Sequence, residues 1–567
     1  MCGICGIFVI EKGQQVERKT LESMNRRMAH RGPDDDGVFL HENIGLGMRR
    51  LSVIDLHTGQ QPLSNASSDI WIVFNGEIYN HRQLRSRLES QGHSYRTQSD
   101  TETILHLYEQ HGAECVLHLR GMFAFAIWDG RKRCLFAARD RLGIKPFYYH
   151  WNRSTFVFGS EIKAVLAGPG VPSTFNRSSL AEFLAFGYTA QADTMFEGIF
   201  KLLPGHTLEL DESGSLKIER YWQMPAGPDS DPSPRTYYAN HYRELLEDAV
   251  SSHLMSDVPL GVLLSGGLDS SVVAALSTKI QGAPMQTFSV GYAEPAYSEL
   301  NDARDVSRYI GSEHQEVKLG RREFFDLLPM LTRQEDEPLA WPSSVALYCV
   351  ARTARKSVKV VLTGEGSDET LGGYGRYGWT LLNSRMDAAY RKLAPDRVRI
   401  AVRNVLESMP AIASVHRKLR HTFLMRDGNS WPSIYFDNFY AAFSAAEQAE
   451  LMPAGADRSS GDAYAASMLV WQESQGGLLH RMLYTDINTY LVELLMKQDQ
   501  MSMAASVESR VPFLDHPLVE FTARIPGRYS VRGTQGKLIL KDAVADLLPK
   551  SVIHGKKKAS RRPGNLG

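Results

Sequence analysis

Cys2 follows Met1. A small side chain at position two favours removal of the initiator methionine, which would leave a thiol and a free α-amine on one residue. An α-amine titrates near pH ~8, so it can take the thiol proton at neutral pH and form a nucleophile that carries its own base. Cys2-Gly3-Ile4-Cys5 also reads as half of a zinc site or a redox pair, but no second CxxC exists to complete it. A second stretch able to do chemistry is Ser265-Gly266-Gly267-Leu268-Asp269-Ser270-Ser271. It follows the apolar run 258–264 and opens a helical pattern over 270–280. Paired glycines let the backbone approach an anion, and the helix start presents free N–H groups and a positive dipole end. The serines add donors, and Asp269 can hold magnesium beside phosphates. An ordinary strand-to-helix turn requires less than this. A third stretch, Thr363-Gly364-Glu365-Gly366-Ser367-Asp368-Glu369, follows the strand-like run 358–362 and puts carboxylates where parallel strands end, the usual ligand crevice of such sheets. Neither Gly536-Lys537 nor Gly555-Lys556 is followed by Ser or Thr, so there is no Walker A loop. The run from Gly373 to Gly378 fits GxGxxG but stands well past its nearest predicted strand and reads as a chance match.

The elements that must position these residues fall into two patterns. Up to about residue 200, short β-rich runs alternate with turns. Residues 70–74 end in Asn75-Gly76, 123–128 and 134–138 flank a hairpin turn at 129–132, and 147–151 with 155–158 form a second such pair. Residues 101–111 carry Ile104, Leu105 and Tyr108 at helical spacing. A Pro-rich, weakly apolar stretch at 225–234 reads as a linker. Beyond it, strand–loop–helix units with runs at 258–264, 286–290 and 358–362 predict a parallel sheet with helices on both faces. From about Tyr377 the chain reads as mainly helical.

Composition excludes several classes. With 43% apolar and 23% charged residues among 567, the chain is neither disordered nor fibrous nor a coiled-coil rod. Lys+Arg and Asp+Glu are both 64, which argues against a nucleic-acid binder. The basic cluster Lys556-Lys557-Lys558, Arg561 and Arg562 reads as a solvated tail. Five cysteines are not a disulfide framework, no apolar run reaches the ~18 residues of a membrane span, and there is no secretory signal. A cytoplasmic location is the default expectation.

His30-Arg31-Gly32-Pro33-Asp34, Arg50-Leu51-Ser52, Asn75-Gly76-Glu77-Ile78-Tyr79-Asn80 and Ser99-Asp100-Thr101-Glu102, together with Cys2, resemble the class II glutamine amidotransferase domain, an N-terminal-nucleophile glutaminase. The resemblance implies an αββα sandwich over residues 2–205. It gives Cys2 the attack on the glutamine amide, Asn75 and Gly76 the oxyanion hole, Arg50 the α-carboxylate, and Glu77 and Asp100 the α-amine, with Asn75 also in the glutamine pocket. The Ser-Gly-Gly loop resembles the pyrophosphate loop of ATP pyrophosphatases. With Thr363–Glu369, Asp499, Ser502-Met503-Ala504, Val507–Asp515 and Gly536–Lys541 in this order, nearly the whole chain resembles glutamine-hydrolysing asparagine synthetase. That implies a connecting segment at 206–235 and a doubly wound α/β synthetase domain at 236–567 with a helical C-terminal part. ATP binding falls to Leu263, Ser265, Gly266, Gly267, Asp269, Ser270, Val290, Thr363 and Gly364, with Leu263, Val290 and Gly364 on the AMP part. Mg2+ falls to Asp269 and Asp368, deprotonation of ammonia to Glu365, and charge stabilisation at phosphorus to Lys537. Glutamine, ATP and a carboxylic acid, foremost aspartate, are the implied partners. Nascent ammonia would cross between the sites by an internal tunnel, and a homodimer is left open.

Two departures qualify the acceptor. Trp341, in Asp336-Glu337-Pro338-Leu339-Ala340-Trp341-Pro342-Ser343, stands where the family pattern commonly has Asp. The C-terminus departs after Lys558 and stops at Gly567, where family chains commonly continue; a shortened end would leave part of the acceptor site incomplete. Amidation of another carboxylate, such as a sugar or surface-polysaccharide precursor, is therefore the alternative. A non-catalytic interaction protein of the same fold is the remote third reading.

Overall fold

The computed structural model describes residues 2–11, 13–227, 233–294, 298–408 and 463–555, with a few positions between 419 and 451. The basic tail and part of the Pro-rich linker lie outside the described residues.

Two six-stranded sheets face each other in the first part of the chain. One runs, in spatial order, Ile199–Lys201, Tyr148–Trp151, Thr155–Gly159, Gly3–Val9, Ile44–Arg50, Asp35–His41. The other runs Leu216–Arg220, His206–Asp211, Cys134–Arg139, Gly121–Asp129, Ile70–Ile78, Leu63–Ser64. All their strand pairs are antiparallel. Side chains alternate across each sheet. Ile4 and Phe8 meet Val73, Ala126 and Trp128 between the sheets, while Cys5, Ile7 and Val9 pack outward on Leu21, Met24 and Ile162 of two short helices. The second sheet covers its outer face with Leu84 and Leu88 and with Ile104 and Leu105 of two more helices. The result is the expected αββα sandwich. The strand at 70–78 continues through Asn75-Gly76 rather than turning there, because it pairs along its whole length with Gly121–Asp129. A Cβ on Gly76 would stand 2.2 Å from the Met122 carbonyl oxygen, so this pairing tolerates only glycine.

The later part holds a parallel five-stranded sheet in the order Glu313–Leu319, Gln286–Tyr292, Leu260–Leu263, Val360–Leu362, Glu508–Arg510. Helices Arg235–His253 and Leu268–Gln281 cover one face, and Ser343–Ala354 covers the other, giving a doubly wound α/β fold. Strand order reverses between Leu260–Leu263 and Val360–Leu362. That switch point opens the crevice at the strands' C-terminal ends, where both glycine-containing loops emerge. Two strands are absent from the sequence reading. Glu313–Leu319 is an edge strand dense in polar residues, and Glu508–Arg510 is three residues long inside an otherwise helical region.

The two parts are joined by an apolar seam. Leu51, Val53, Met122 and Ile144 pack with Leu495, Met496, Met503 and Leu514. Charges are buried beside it: Arg31 reaches Asp499 at 2.7 Å and Glu161 at 3.2 Å, and Lys145 reaches Asp499 at 3.3 Å. Buried charges in this number are tolerated only when mutually paired.

Candidate active site

Cys2 enters the first strand at the edge of a small cavity lined also by Arg50, Gly76, Glu77, Asp100 and Glu508. Its backbone N–H donates to Asn75 Oδ1 at 2.9 Å, and its carbonyl accepts from Arg31 Nε at 3.0 Å. The Asn75 amide is thereby oriented, and its Nδ2 is buried with no acceptor. Burial pushes the Cys2 thiol up, against the Leu51 N–H and the Arg50 guanidinium, which pull it down. The thiol is therefore neutral near pH 7 and needs a base. Cys5 lies on the opposite face of the sheet from Cys2, so the two sulfurs cannot share a metal or a disulfide.

Arg50 is 5% exposed. One terminal nitrogen donates to the carbonyls of Ile54 at 3.1 Å and Asp55 at 2.6 Å, and the guanidinium makes no ion pair among the described residues. Gly59 seats it, since a Cβ there would lie 2.5 Å from the guanidinium. Glu77 and Asp100 are both buried. Burial raises Glu77 well above the ordinary carboxylate range, with the Asp100 charge adding to it. Burial likewise raises Asp100, opposed by His81 and by the Ile78 N–H, which donates to Asp100 Oδ2 at 2.9 Å. The cavity thus holds a cation without a counterion at one side and two carboxyls short of positive charge at the other. That is the complement of an amino-acid zwitterion.

The second set meets at the switch point. Gly266 has φ +78, and a Cβ on it would stand 2.5 Å from the Ala303 backbone N. Gly267 caps the helix Leu268–Gln281, and Ser265 and Ser270 hydroxyls meet at 2.9 Å. Leu263 lies opposite Phe288 in the register and Val290 opposite Val317, so both sit near the strand ends that flank the loop. The loop after Val360–Leu362 runs directly over this helix start: a Cβ on Gly364 would lie 2.7 Å from the Ser270 backbone N. Thr363 Oγ1 is buried there with no partner, and Glu365 lies partly exposed in the same loop. Lys537 Nζ stands between two carboxylates, 2.6 Å from Asp269 and 2.8 Å from Asp368. Burial opposes its charge, but the two aspartates outweigh this and raise it above the usual lysine value. Lys537 itself has φ +57, an arrangement that costs on the order of 1 kcal/mol for a residue with a Cβ. Gly373, set aside with the GxGxxG match, belongs here for a steric reason: a Cβ on it would fall 2.0 Å from Asp368 and 2.1 Å from the Lys537 side chain.

The acidic segment before Trp341 faces the first part of the chain. Asp336 pairs with Lys163 at 3.1 Å, and Glu337 accepts from the Met195 N–H at 2.7 Å. Trp341 is half-buried, packs edge-on to Tyr490 at 5.9 Å, and joins an apolar cluster with Ala185, Phe186 and Tyr188.

Compared with known proteins, residues 241–564 match the asparagine synthase family model and residues 1–222 match the glutamine amidotransferase domain model. The chain belongs to the asparagine synthase family. Within the family it is 32% identical over 561 residues to glutamine-hydrolysing asparagine synthetase 1 of Bacillus subtilis strain 168, covering 98% of this chain and 86% of the relative. It is 32% identical over 577 residues to asparagine synthetase 3 of the same organism, again covering 98% and 86%. Among solved structures, the glutamine phosphoribosylpyrophosphate amidotransferase of B. subtilis is similar at a TM-score of 0.30 and 16% identity, covering 56% of this chain and 81% of that one. As a member of the asparagine synthase family, the chain is a glutamine-dependent amidotransferase and carbon–nitrogen ligase of the ATP-using kind. No helix among the described residues is long and apolar enough to cross a membrane.

Sequence reasoning missed Glu508, which lines the Cys2 cavity, and Arg510 two residues on, which pairs with Glu77. They sit in a run, 507–515, read only for its order along the chain. The available signal was two opposite charges two residues apart in a run with Val507 and Val511 on either side.

Proposed function

We propose that this chain makes asparagine from aspartate, glutamine and ATP. Removal of Met1 frees the Cys2 α-amine, which takes the thiol proton. The Cys2 sulfur attacks the glutamine side-chain carbonyl carbon, and the resulting oxyanion is held by Asn75 Nδ2 and the Gly76 N–H. Collapse, with the amine returning the proton to the leaving nitrogen, releases ammonia and leaves a thioester that water cleaves to glutamate. Arg50 binds the α-carboxylate, and Glu77 with Asp100 binds the α-ammonium.

At the switch point, an aspartate side-chain carboxylate oxygen attacks the α-phosphorus of ATP and pyrophosphate leaves. Ammonia adds to the acyl carbon, a proton passes to Glu365, and AMP departs with the electron pair of the broken C–O bond. The Ser265–Ser270 loop and Thr363 cradle phosphate oxygens, with Leu263, Val290 and Gly364 flanking the AMP part, and Lys537 offsets charge on phosphorus.

The residues present fit a magnesium ion. Asp269 Oδ1 is buried without a donor, and Asp269 and Asp368 converge on one nitrogen, a hard-oxygen set suited to a cation that keeps several waters and binds phosphates. Asp269 and Asp368 would hold it, and it would supply charge neutralisation at the phosphates.

The observation that carries this reading is the Lys537 ammonium set between Asp269 and Asp368 at the head of the Ser-Gly-Gly loop, in the same chain as the Cys2–Asn75 pair. The packing of Trp341 into an apolar cluster favours aspartate over a bulkier acid, because the indole is already occupied. Pyrophosphate release with glutamine and ATP–Mg2+, screened over aspartate and other carboxylic acids, tests it.

A further inference from the structure

The cavity around Cys2 is not closed by the sandwich alone. Glu508, from the edge strand of the parallel sheet, forms part of its wall. Arg510 lies two residues on, so both side chains leave the same face of the strand. Arg510 is wholly buried and every limb of its guanidinium is used. Nε donates to Glu508 Oε1 at 2.6 Å, one terminal nitrogen donates to the carbonyls of His253 at 2.8 Å and Met255 at 2.5 Å, and the other donates to Glu77 Oε2 at 2.8 Å. Between them Ser509 points the other way and accepts from Gln498 Nε2 at 2.7 Å.

Arg510 engages only one of the two oxygens of Glu77. Here Oε2 is taken and Oε1 is buried with no donor, on a residue that lines the cavity beside Cys2. The charged and titratable groups around Glu77 are Asp100 and His81 from the sandwich, Tyr79 just past the end of its strand, the N-terminal amine, and Glu508 and Arg510 from the parallel sheet. Asp100, Glu508 and burial all disfavour a charge on Glu77. Arg510 is the guanidinium that favours it. Without Arg510, Glu77 would lose a positive charge that favours its anion, leaving burial and the Asp100 charge to weaken its hold on an ammonium group. Glu508 does not compete for that role. Burial works against its ionisation, but the N-terminal amine, Arg510 and Lys145, in that order, pull its carboxyl below the ordinary carboxylate range. It therefore stays an anion that anchors Arg510.

We propose that Arg510 is a positioning residue for the glutamine site, holding Glu77 by Oε2 so that its Oε1 is turned toward the substrate α-ammonium, and that the synthetase part thereby completes the glutaminase pocket. The proposal rests on reading the Cys2 cavity as that pocket.

The test uses the full-length chain with Arg510→Met and Arg510→Lys, assayed for glutaminase, for ammonia-dependent pyrophosphate release and for the pH dependence of the glutamine KM. Arg510→Met should raise the glutamine KM by roughly tenfold or more, the scale of one charge-assisted contact, with kcat and the ammonia-dependent reaction within about threefold. The acid-side rise in KM should move to higher pH, and Arg510→Lys should recover part of the loss. An unchanged KM and pH profile would overturn the proposal, and so would a parallel fall of both activities with no change in the profile. If neither Arg510 variant is soluble, Glu508→Gln keeps the side-chain volume, removes a charge that disfavours ionisation of Glu77, and should move the acid-side rise in KM to lower pH; an unmoved profile there is equally fatal. Failure of the underlying reading looks different: the wild-type protein would not hydrolyse glutamine, or would still do so as Cys2→Ala.

Discussion

The backbone N–H of Cys2 donates to Asn75 Oδ1 at 2.9 Å, and this one bond decides which way the Asn75 amide faces. With Oδ1 committed, Nδ2 is left buried and without an acceptor. An unpaired buried donor costs about 1–3 kcal/mol, a penalty that the proposed oxyanion beside Cys2 would relieve.

Asn75→Ala should therefore lower the glutaminase kcat by about 10²–10³, the effect of losing one oxyanion donor, with a smaller change in KM. Ammonia-dependent synthesis should be untouched, because ammonia enters the second site directly. Steady-state glutaminase assays beside the ammonia-dependent assay check this. Equal loss of both would reassign Asn75 to the fold.

Asp269→Asn and Lys537→Met each break the same ion triad of buried Lys537 and two partly exposed aspartates. Pyrophosphate release should fall by on the order of 10² or more in each, while glutaminase turnover persists. Product analysis adds a sharper test: AMP and pyrophosphate are expected, and ADP with phosphate would remove the adenylation account.

The glutamine KM should depend on pH in a direction fixed by Glu77 and Asp100. Burial raises both above the ordinary carboxylate range, with Asp100 adding to the shift at Glu77. As pH falls through their titration they take up protons and lose the negative charge that meets the substrate ammonium. KM should rise while the pH is still well above ~4, where an exposed carboxyl titrates. Initial-rate measurements from about pH 8 to pH 5 decide it; a flat KM over that range contradicts the assignment.

Trp341→Asp puts a charge into the cluster of Tyr490, Ala185, Phe186 and Tyr188. It should destabilise the protein by roughly 1–3 kcal/mol, read as a lower Tm, and should not improve aspartate use. A gain in asparagine formation would move Trp341 from the packing to the acceptor pocket.

The chemistry of each loop was legible because it is local. Cys2, Asn75-Gly76 and the Ser-Gly-Gly run name their partners by residue type. The strand runs at 134–138 and 286–290 were legible because their side chains are buried in regular patterns. What stayed hidden depends on register across the chain. Asn75-Gly76 looks like a turn until its pairing with Ala124 and Phe123 is known. Gly373 looks like a stray glycine until Asp368 and Lys537 are brought against it. Glu508 and Arg510 carry no signal of reaching Glu77, because the contact joins the edge strand of the parallel sheet to a strand of the sandwich 433 residues away in sequence.

The central claim is that glutamine nitrogen is released at Cys2 and delivered to an AMP-activated aspartate in the same protein. Its most direct test is the reaction with amide-15N glutamine, unlabelled aspartate and ATP–Mg2+, run for the wild type and for Cys2→Ala. The wild type should give 15N-asparagine with one AMP and one pyrophosphate per amide formed, while Cys2→Ala should make asparagine only from added ammonium. Labelled asparagine from Cys2→Ala, or no asparagine from the wild type with either nitrogen source, would contradict the account.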